Sequence, residues 1–331
     1  MTIHPILLLL LLPPDAYLWI GAALLAVLTA VCAVWARRLW RRSRRLWAAV
    51  LGLALLCCWY MFLYGSLVGV RGLAVRHVEF VSADLPAAFD GYRIVQFSDA
   101  HVGSFTGWRQ PLLARAVDSI NAQHADLIAF TGDLQNVSPD ELQPHLKLLS
   151  TLRARDGVCS VLGNHDYAEY FQGSDFDKAA NCGLTRTLQL EMGWRLLANS
   201  HRIIRRGGDS LVVAGMENDG EGRFPQLGRI SSALYGLRRD CFVVMLEHDP
   251  TSWRRKILPH SHCQLTLSGH SHGGQFRLFG WSPASMRYAE WSGLYRAADR
   301  ALYVSSGLGG VIPFRFGVTP EIVVITLKSR K

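Results

Sequence analysis

Five short apolar stretches between residues 94 and 268 each end beside a side chain that can bind a metal ion. The stretches are four or five residues long and run into Ser, Thr, Gly or Glu, and turn residues such as Gly, Ser or Asp follow within three positions, a pattern typical of buried strands ending in turns. In open α/β sheets, functional groups gather beyond the carboxyl ends of the strands. The sequence therefore predicts that five loops meet at one place. These loops are Ser98-Asp99-Ala100-His101, Thr131-Gly132-Asp133, Gly163-Asn164-His165-Asp166, Glu247-His248-Asp249 and Gly269-His270-Ser271-His272.

The last loop carries two histidines one residue apart, between glycines. Side chains at i and i+2 of an extended chain point to the same face, so His270 and His272 would aim at one place. Imidazole suits Zn, Fe and Mn, but one such pair supplies at most half a coordination sphere. Each loop also has an ordinary explanation: Asp99 and Asp133 could cap turns, and His248 could be a solvated loop histidine. Five such loops in order favour a shared metal site.

Downstream of Arg71, apolar runs of strand length first alternate with helical patterns and then succeed one another. Ser138 before Pro139 is typical of a helix N-terminus, which predicts a helix over Pro139–Arg153. Later short runs, among them Gln275–Leu278, predict consecutive strands. Alternation and then consecutive strands indicate an α/β fold with mixed sheets covered by helices.

The N-terminal part of the chain is apolar enough to cross a membrane twice. Ala16 to Trp35 is a 20-residue run without a charge, and Leu46 to Val70 is a 25-residue run without one. About 20 apolar residues span the ~30 Å hydrocarbon core as a helix. A buried hairpin of a soluble protein is the alternative, but the arginines between the two runs oppose it. The shorter run Ile6 to Leu12 is too brief to cross.

Six arginines lie between residues 37 and 45, and none precedes the first apolar run. Arginine-rich short loops remain in the cytoplasm, so the chain beyond the second run would face the other side. We therefore expect five parts: an N-terminal segment 1–15, a transmembrane helix 16–36, an arginine-rich cytoplasmic loop 37–45, a second transmembrane helix 46–70 and a domain 71–331.

The net charge of +9 has a local origin. The first 70 residues hold six of the 35 lysines and arginines but one of the 26 acids, so the rest of the chain is close to neutral. This argues against a basic nucleic-acid-binding face, and no nucleic-acid binding is expected. The seven cysteines show no C-x-x-C spacing. Disulfides or free thiols remain open for Cys159, Cys182, Cys241 and Cys263.

The ordered series Asp-x-His, Gly-Asp, Gly-Asn-His-Asp, His and Gly-His-x-His resembles the calcineurin-like metallophosphoesterase superfamily. The match runs from about Asp99 to His272. Residues 92–99, 271–275 and 320–322 are similar to the membrane-associated bacterial branch. The resemblance implies a four-layer αββα sandwich that carries a two-metal site. Relatives often read Gly-Asp-x-x-Asp, whereas this chain has Asn136 at the fifth position.

The resemblance also implies roles for individual residues. One divalent metal would be held by Asp99, His101, Asp133 and His272. The other would be held by Asp133, Asn164, His248 and His270. His165 would protonate the leaving oxygen or steady the phosphate, and Asp166 would fix the tautomer of His165. The mixed nitrogen and oxygen donors suit Mn, Fe or Zn, and the sequence does not choose among them.

Three further features could be assigned a role in binding: a second His-x-His sequence, a glycine-rich segment and an arginine. His260-Ser261-His262 repeats the His-x-His spacing but precedes a predicted strand, so it is interpreted as surface loop. The glycine-rich residues 307–310 lack the lysine of a phosphate-binding P-loop and are expected to shape the pocket rim. Arg315 is a candidate for contacting a substrate phosphate.

The resemblance implies a metal-dependent phosphoric ester hydrolase of the phosphodiesterase or pyrophosphatase type, acting by attack of a metal-bridging hydroxide. Tethering raises the effective concentration of membrane substrates, which favours a lipid-linked phosphate and leaves a nucleotide or soluble phosphodiester open. A membrane-anchored protein with a structural metal site and no hydrolytic activity is the alternative. We expect a multi-pass protein of the bacterial inner membrane with an extracytoplasmic domain, and predict no protein partner.

Overall fold

Two six-stranded β-sheets lie face to face in the computed structural model, which describes residues 12–330. In chain order the strands are β1 (Ala74–Ser82), β2 (Arg93–Phe97), β3 (Leu127–Phe130), β4 (Val158–Ser160), β5 (Arg195–Leu196), β6 (Ser200–Arg206), β7 (Asp209–Gly215), β8 (Phe242–Leu246), β9 (Leu265–Ser268), β10 (Gly293–Ala297), β11 (Arg300–Val304) and β12 (Glu321–Ser329).

Parallel neighbours bring the loop-bearing strands together. The first sheet has the order β1-β12-β2-β3-β4-β5, and β2, β3, β4 and β5 run parallel. The second has the order β10-β11-β9-β8-β7-β6, in which β11, β9, β8 and β7 run parallel. The carboxyl ends of β2, β3 and β4 therefore share one edge, as do those of β8 and β9.

Helices cover the outer face of each sheet. In chain order the α-helices of the described residues are α1 (Pro14–Arg41), α2 (Arg45–Leu67), α3 (Gln110–Asn121), α4 (Leu146–Leu149), α5 (Asp175–Glu191), α6 (Ile230–Ala233) and α7 (Leu258–His260). Apolar side chains of α3, α4 and α5 pack on the first sheet, and those of α6 and the turn 253–258 pack on the second. A third apolar layer lies between the sheets. The predicted four-layer αββα sandwich is therefore confirmed.

The two apolar N-terminal helices form an antiparallel hairpin beside the sandwich. Each is long enough to cross a membrane, and the indole N–H of Trp59 donates to the hydroxyl of Thr29 at 3.0 Å between them. Helix α1 continues to Arg41, so most of the predicted 37–45 loop is helical and the turn is confined to 42–44. Arginine is a good helix former, which explains the extension. Residues 1–11 of the predicted segment 1–15 lie outside the described residues.

Two local predictions were wrong. The segment predicted as one helix over Pro139–Arg153 forms a 3₁₀ helix to His145 and then only the single turn α4, because Pro144 cannot donate a helical hydrogen bond. Its start was predicted correctly, since Ser138 and Glu141 form a capping box. Gln275–Leu278 is not a strand of either sheet; Phe276 makes a single bridge to Phe316.

Candidate metal centre

The loops at the carboxyl ends of five strands bring all seven predicted metal ligands together. Ligand atoms of Asp99, His101, Asp133 and His272 lie within 4.8 Å of one another. Those of Asp133, His248 and His270 form a second group with the same limit. The side-chain oxygen of Asn164 lies 2.8 Å from Nδ1 of His270, so the amide joins this second group. The Asp133 carboxylate belongs to both groups.

The spacing of the donor atoms fits shared cations. Oδ2 of Asp133 lies 3.5 Å from Nε2 of His101 and 3.2 Å from Nε2 of His248, and Oδ1 of Asp99 lies 3.5 Å from Nε2 of His272. Donors that each sit about 2.1 Å from one ion are about 3–3.5 Å apart. Both ring nitrogens of His101 are buried without a hydrogen-bond partner. Buried polar atoms rarely remain unpaired, so the residues fit divalent metals.

Burial shifts the ionisation of these groups in a way that a cation would relieve. Burial raises the pKa of Asp99 to about 7 and, with the charge of His165, lowers the pKa of His101 to about 3. Burial opposes ionisation of Asp133, but the charges of His248 and His165 hold its pKa well below its usual value. Burial lowers the pKa of His248, but Asp133 outweighs it and raises that pKa to about 10. A bound cation would replace the proton of His248 as the partner of Asp133.

Backbone strain is concentrated at the same residues. Twelve described residues other than glycine have positive φ, and five of them are predicted ligands, with φ between 45° and 71°. This left-handed region costs roughly 1–3 kcal/mol per residue and persists where surrounding structure fixes it. The five are Asp99, His101, Asp133, His270 and His272.

Hydrogen bonds between the loops hold these conformations. The backbone N–H of Asp99 donates to the carbonyl of Gly132 at 2.9 Å, and that of His101 donates to the carbonyl of Asp133 at 3.1 Å. The backbone N–H of His270 donates to the Asp99 carboxylate at 3.0 Å, which joins the two sheets. A Cβ on Gly269 would lie 2.3 Å from that carboxylate, so this position needs glycine. The ligands therefore depend on one another for their placement.

Asp166 has a different role from the predicted one. Its carboxylate accepts backbone N–H groups of Gly163, Asp133 and Leu134, each at 2.9 Å. It fixes the loops after β3 and β4 and makes no described contact with the His165 ring. The tautomer of His165 is set instead by the backbone carbonyl of Asn136, 2.5 Å from Nδ1. A carbonyl only accepts, so Nδ1 carries the proton in the neutral ring.

Asn136, which stands where relatives often have Asp, belongs to the hydrogen-bond network around His165. Asn136 donates through its side-chain amide to the hydroxyl of Ser104 at 3.0 Å. Its backbone N–H donates to Glu141 at 2.6 Å. The backbone carbonyl, which any residue type would supply, is the group that holds His165. The substitution therefore leaves the ring of His165 anchored.

The cluster of predicted metal ligands borders a pocket of about 390 Å³. Asp133, Asn164 and His165 lie at its base, and residues that sequence reasoning missed form its walls. The hydroxyl of Tyr288 lies 2.9 Å from Nε2 of His270, and Asn164 donates to the hydroxyl of Tyr170 at 3.0 Å. These wall residues stand in ordinary loops and belong to no motif. They are Tyr170, Arg223, Phe224, Arg287 and Tyr288.

Two other candidate sites fall outside the pocket. Arg315 is buried and donates to the backbone carbonyls of His272, Ser306 and Gly309. Its guanidinium braces the loop of His272, and Arg315 is not among the residues that line the pocket, so the predicted contact with a substrate phosphate stays a prediction. His260 ends helix α7 and lies before β9, at the strand end away from the cluster.

The comparisons with known proteins cover this region. Residues 92–274 match the family model for calcineurin-like phosphoesterase. An uncharacterized metallophosphoesterase of Bacillus subtilis, YkuE, is 32% identical over 265 residues, which cover 75% of this chain and 83% of that protein. A transmembrane protein with metallophosphoesterase domain from Danio rerio is 30% identical over 287 residues, which cover 84% of this chain and 62% of that protein. The relatives thus include bacterial and vertebrate proteins.

Solved structures also match this chain. The crystal structure of phosphopantetheinyl hydrolase from Mycobacterium tuberculosis has a TM-score of 0.41 and 12% sequence identity, and the match covers 65% of this chain and 88% of that chain.

Replacing Asp133 by Asn should remove most metal from the protein. The change deletes the anionic oxygens shared by both ligand groups and leaves both clusters short of negative charge. Elemental analysis of protein purified with added Mn²⁺ checks this. Asp126→Asn is the matched control, because Asp126 precedes the same strand, where it pairs with Arg206 at 2.7 Å. Full metal content in Asp133→Asn would contradict the shared-ligand assignment.

Proposed function

This chain belongs to the calcineurin-like phosphoesterase family, and on that premise we propose that it is a membrane-anchored, two-metal phosphoesterase acting on a phosphodiester or pyrophosphate bond. The single observation that carries the proposal is the Asp133 carboxylate. It belongs to two ligand groups and also lines an open pocket. A structural metal site would have no need of such access to solvent.

The two proposed ligand sets are those given in the sequence analysis. Two divalent ions held there would acidify a water and balance the charge of a phosphoryl group. The chain's own part is to fix the donors, which the strained backbone and the loop-to-loop hydrogen bonds do. The exposed Arg223 and Arg287 at the pocket walls bring positive charge to the entrance, which favours an anionic substrate.

His165 is the proposed proton donor at the pocket base. Its Nδ1 is held by the Asn136 carbonyl, so Nε2 is the nitrogen available for exchange of a proton with substrate. Burial lowers the pKa of His165, which favours the neutral ring. The negative charge of a phosphoryl group in the pocket would raise the pKa of His165 again. The ring would then carry the proton that the leaving oxygen needs.

Membrane association is supported by the two apolar helices and by transmembrane relatives. We propose that the helices cross the bacterial inner membrane with the arginine-rich turn in the cytoplasm. Asp15 at the start of α1 pairs with Arg109 at 2.7 Å, and Gly65 near the end of α2 accepts the backbone N–H of Arg315 at 3.0 Å. Both contacts lie at the end of the hairpin away from the arginine turn. The domain would then be extracytoplasmic.

Metal-dependent turnover tests the function directly. Purified protein with Mn²⁺ should hydrolyse bis(4-nitrophenyl) phosphate, and chelation should abolish the release of nitrophenol, which re-added metal restores. Asp126→Asn should match the original protein in this assay. A correctly folded, metal-loaded protein that hydrolyses neither this ester nor an aryl pyrophosphate would favour a structural metal site instead.

Replacing His165 by Ala should retain both metals and slow turnover. Removing a general acid typically costs roughly 10²–10⁴-fold in rate. The loss should shrink for esters with acidic leaving groups, because such groups depart without a proton. Rates for a series of aryl phosphodiesters, together with metal content, check this. Loss of metal from His165→Ala would instead identify His165 as a ligand.

The orientation can be read from reporter fusions. Alkaline phosphatase folds only where disulfides form, so a fusion after Lys331 should be active if the domain is extracytoplasmic. The same reporter after Ser43, in the arginine turn, should be inactive and is the matched control. The reverse pattern, with a fluorescent green-protein fusion after Lys331, would place the domain in the cytoplasm.

A further inference from the structure

One loop leads from the metal centre to the apolar helices, and we call residues 275–288 the rim loop. It begins three residues after the ligand His272 and ends at Tyr288, whose hydroxyl contacts His270. Leu278 and Trp281 close its tip with two backbone hydrogen bonds of 2.9 Å and 3.0 Å, leaving Phe279 and Gly280 at the turn. The same loop therefore shapes the pocket wall and carries an aromatic tip.

The rim loop exposes apolar side chains that a water-facing loop has no reason to carry. Phe279 is 99% exposed, Met286 is 78% exposed and Trp281 is 51% exposed. Ile312, in the neighbouring segment, is also exposed. Single exposed apolar residues are ordinary, but a contiguous set rimmed by polar residues marks an interaction surface.

An aromatic chain connects the rim loop to helix α2. Phe316 packs edge-on against Tyr60 and Tyr64, with ring centroids 6.3 Å and 5.7 Å away. Phe276 stacks on Phe316 at 5.6 Å, and Trp281 lies 6.4 Å from Phe276. The apolar surface of the rim loop is thus continuous with that of a helix long enough to cross a membrane.

Backbone hydrogen bonds hold the rim loop at this level of the helix. The N–H of Phe316 donates to the carbonyl of Gln275 at 2.9 Å, and the N–H of Arg277 donates to the carbonyl of Phe316 at 2.7 Å. Tyr60 lies seven residues before the end of α2, about 10 Å along its axis. Tyrosine and tryptophan favour the boundary between hydrocarbon and head groups. The base of the rim loop therefore lies at the level of that boundary.

We propose that the rim loop inserts Phe279 and Trp281 into the membrane leaflet that holds the end of α2, and that the pocket takes its phosphoester from an amphipathic lipid in that leaflet. This rests on the proposed function and names its substrate class. The partner of the apolar tip is the bilayer, because the tip continues a helix surface that the bilayer already covers.

The loop also explains how a lipid head group would reach the metals. Phe279 lies only a short stretch of chain after His272, and Arg287 and Tyr288 of the same loop line the pocket. Arg277, near the tip, and Arg287, at the pocket, suit the phosphates of lipid head groups. A lipid could leave its chains in the leaflet beside the tip while its phosphate enters the pocket.

Depth measurements on full-length protein in lipid nanodiscs test the insertion. An environment-sensitive fluorophore on Phe279→Cys should shift its emission to the blue and be quenched by spin-labelled lipids. Tyr235→Cys is the matched control, since Tyr235 is 82% exposed and precedes β8, at the strand end away from the cluster. Protein with only its native cysteines gives the background. Equal quenching at positions 279 and 235 would overturn the proposal.

Kinetics on two substrates test the lipid entrance. Hexadecyl 4-nitrophenyl phosphate in nanodiscs and ethyl 4-nitrophenyl phosphate in solution carry the same scissile bond. Replacing Phe279 and Trp281 by Ser should lower kcat/KM for the hexadecyl ester roughly tenfold relative to the ethyl ester, because apolar contact with the leaflet is lost. Tyr235→Ser should leave that ratio unchanged. An unchanged ratio in the double variant would overturn the lipid entrance.

The two tests separate this inference from the proposed function. Fluorophore depth does not depend on catalysis, so it decides the insertion even in an inactive protein. Failure of the original protein to hydrolyse either ester with Mn²⁺ bound would contradict the proposed function instead.

Discussion

The Asp133 carboxylate at the centre of the two ligand groups is the constraint on which the rest of the structure depends. Four imidazoles and a second carboxylate surround it in a buried site, where unpaired charge is costly. The chain offsets part of this cost with its own groups, such as the backbone N–H of His165, which donates to Asp133 at 2.9 Å. Divalent cations, which these residues fit, would offset the remainder. Two layers of sheet, meeting at their carboxyl edges, are what bring enough ligands to one carboxylate.

The strand-end ligands could be predicted from the sequence because their signal is local. Each comes directly after an apolar stretch, and parallel neighbours place such ends on one edge, as β3 and β4 do for Asp133 and Asn164. The partners of Asp166 and Arg315 could not be predicted in this way. Asp166 binds backbone N–H groups of the loop after β3, and Arg315 binds the backbone carbonyl of His272, both far away in sequence. Any residue type can supply such a backbone group. The same holds for Tyr288, which reaches His270 across a loop with no motif.

Secondary structure could likewise be predicted where neighbouring residues determine it, but not where residues far away in the sequence do. The capping box at Ser138 and the buried run of β8 were readable from neighbouring residues. Gln275–Leu278 has a strand-like composition but pairs with the irregular segment at Phe316, so no sheet continues there. The rim loop is held through Phe316, whose ring stacks on Phe276 and packs against Tyr60 and Tyr64 of α2, far earlier in the sequence. Alternation within a short window carries no information about such a partner.

The contacts between the domain and the two apolar helices matter because they set the direction of the pocket relative to those helices. A flexible tether would raise local concentration but leave the pocket free to face away from the membrane. Here the domain is fixed at Asp15 by the buried Arg109, at Gly65 by Arg315, and at Tyr60 by Phe316. The ring of Phe314 would lie 2.2 Å from a Cβ at Gly65, so glycine allows that close approach. Because Arg315 also braces the carbonyl of His272, one residue joins helix α2 to the candidate metal centre, and the pocket and the helices are positioned together.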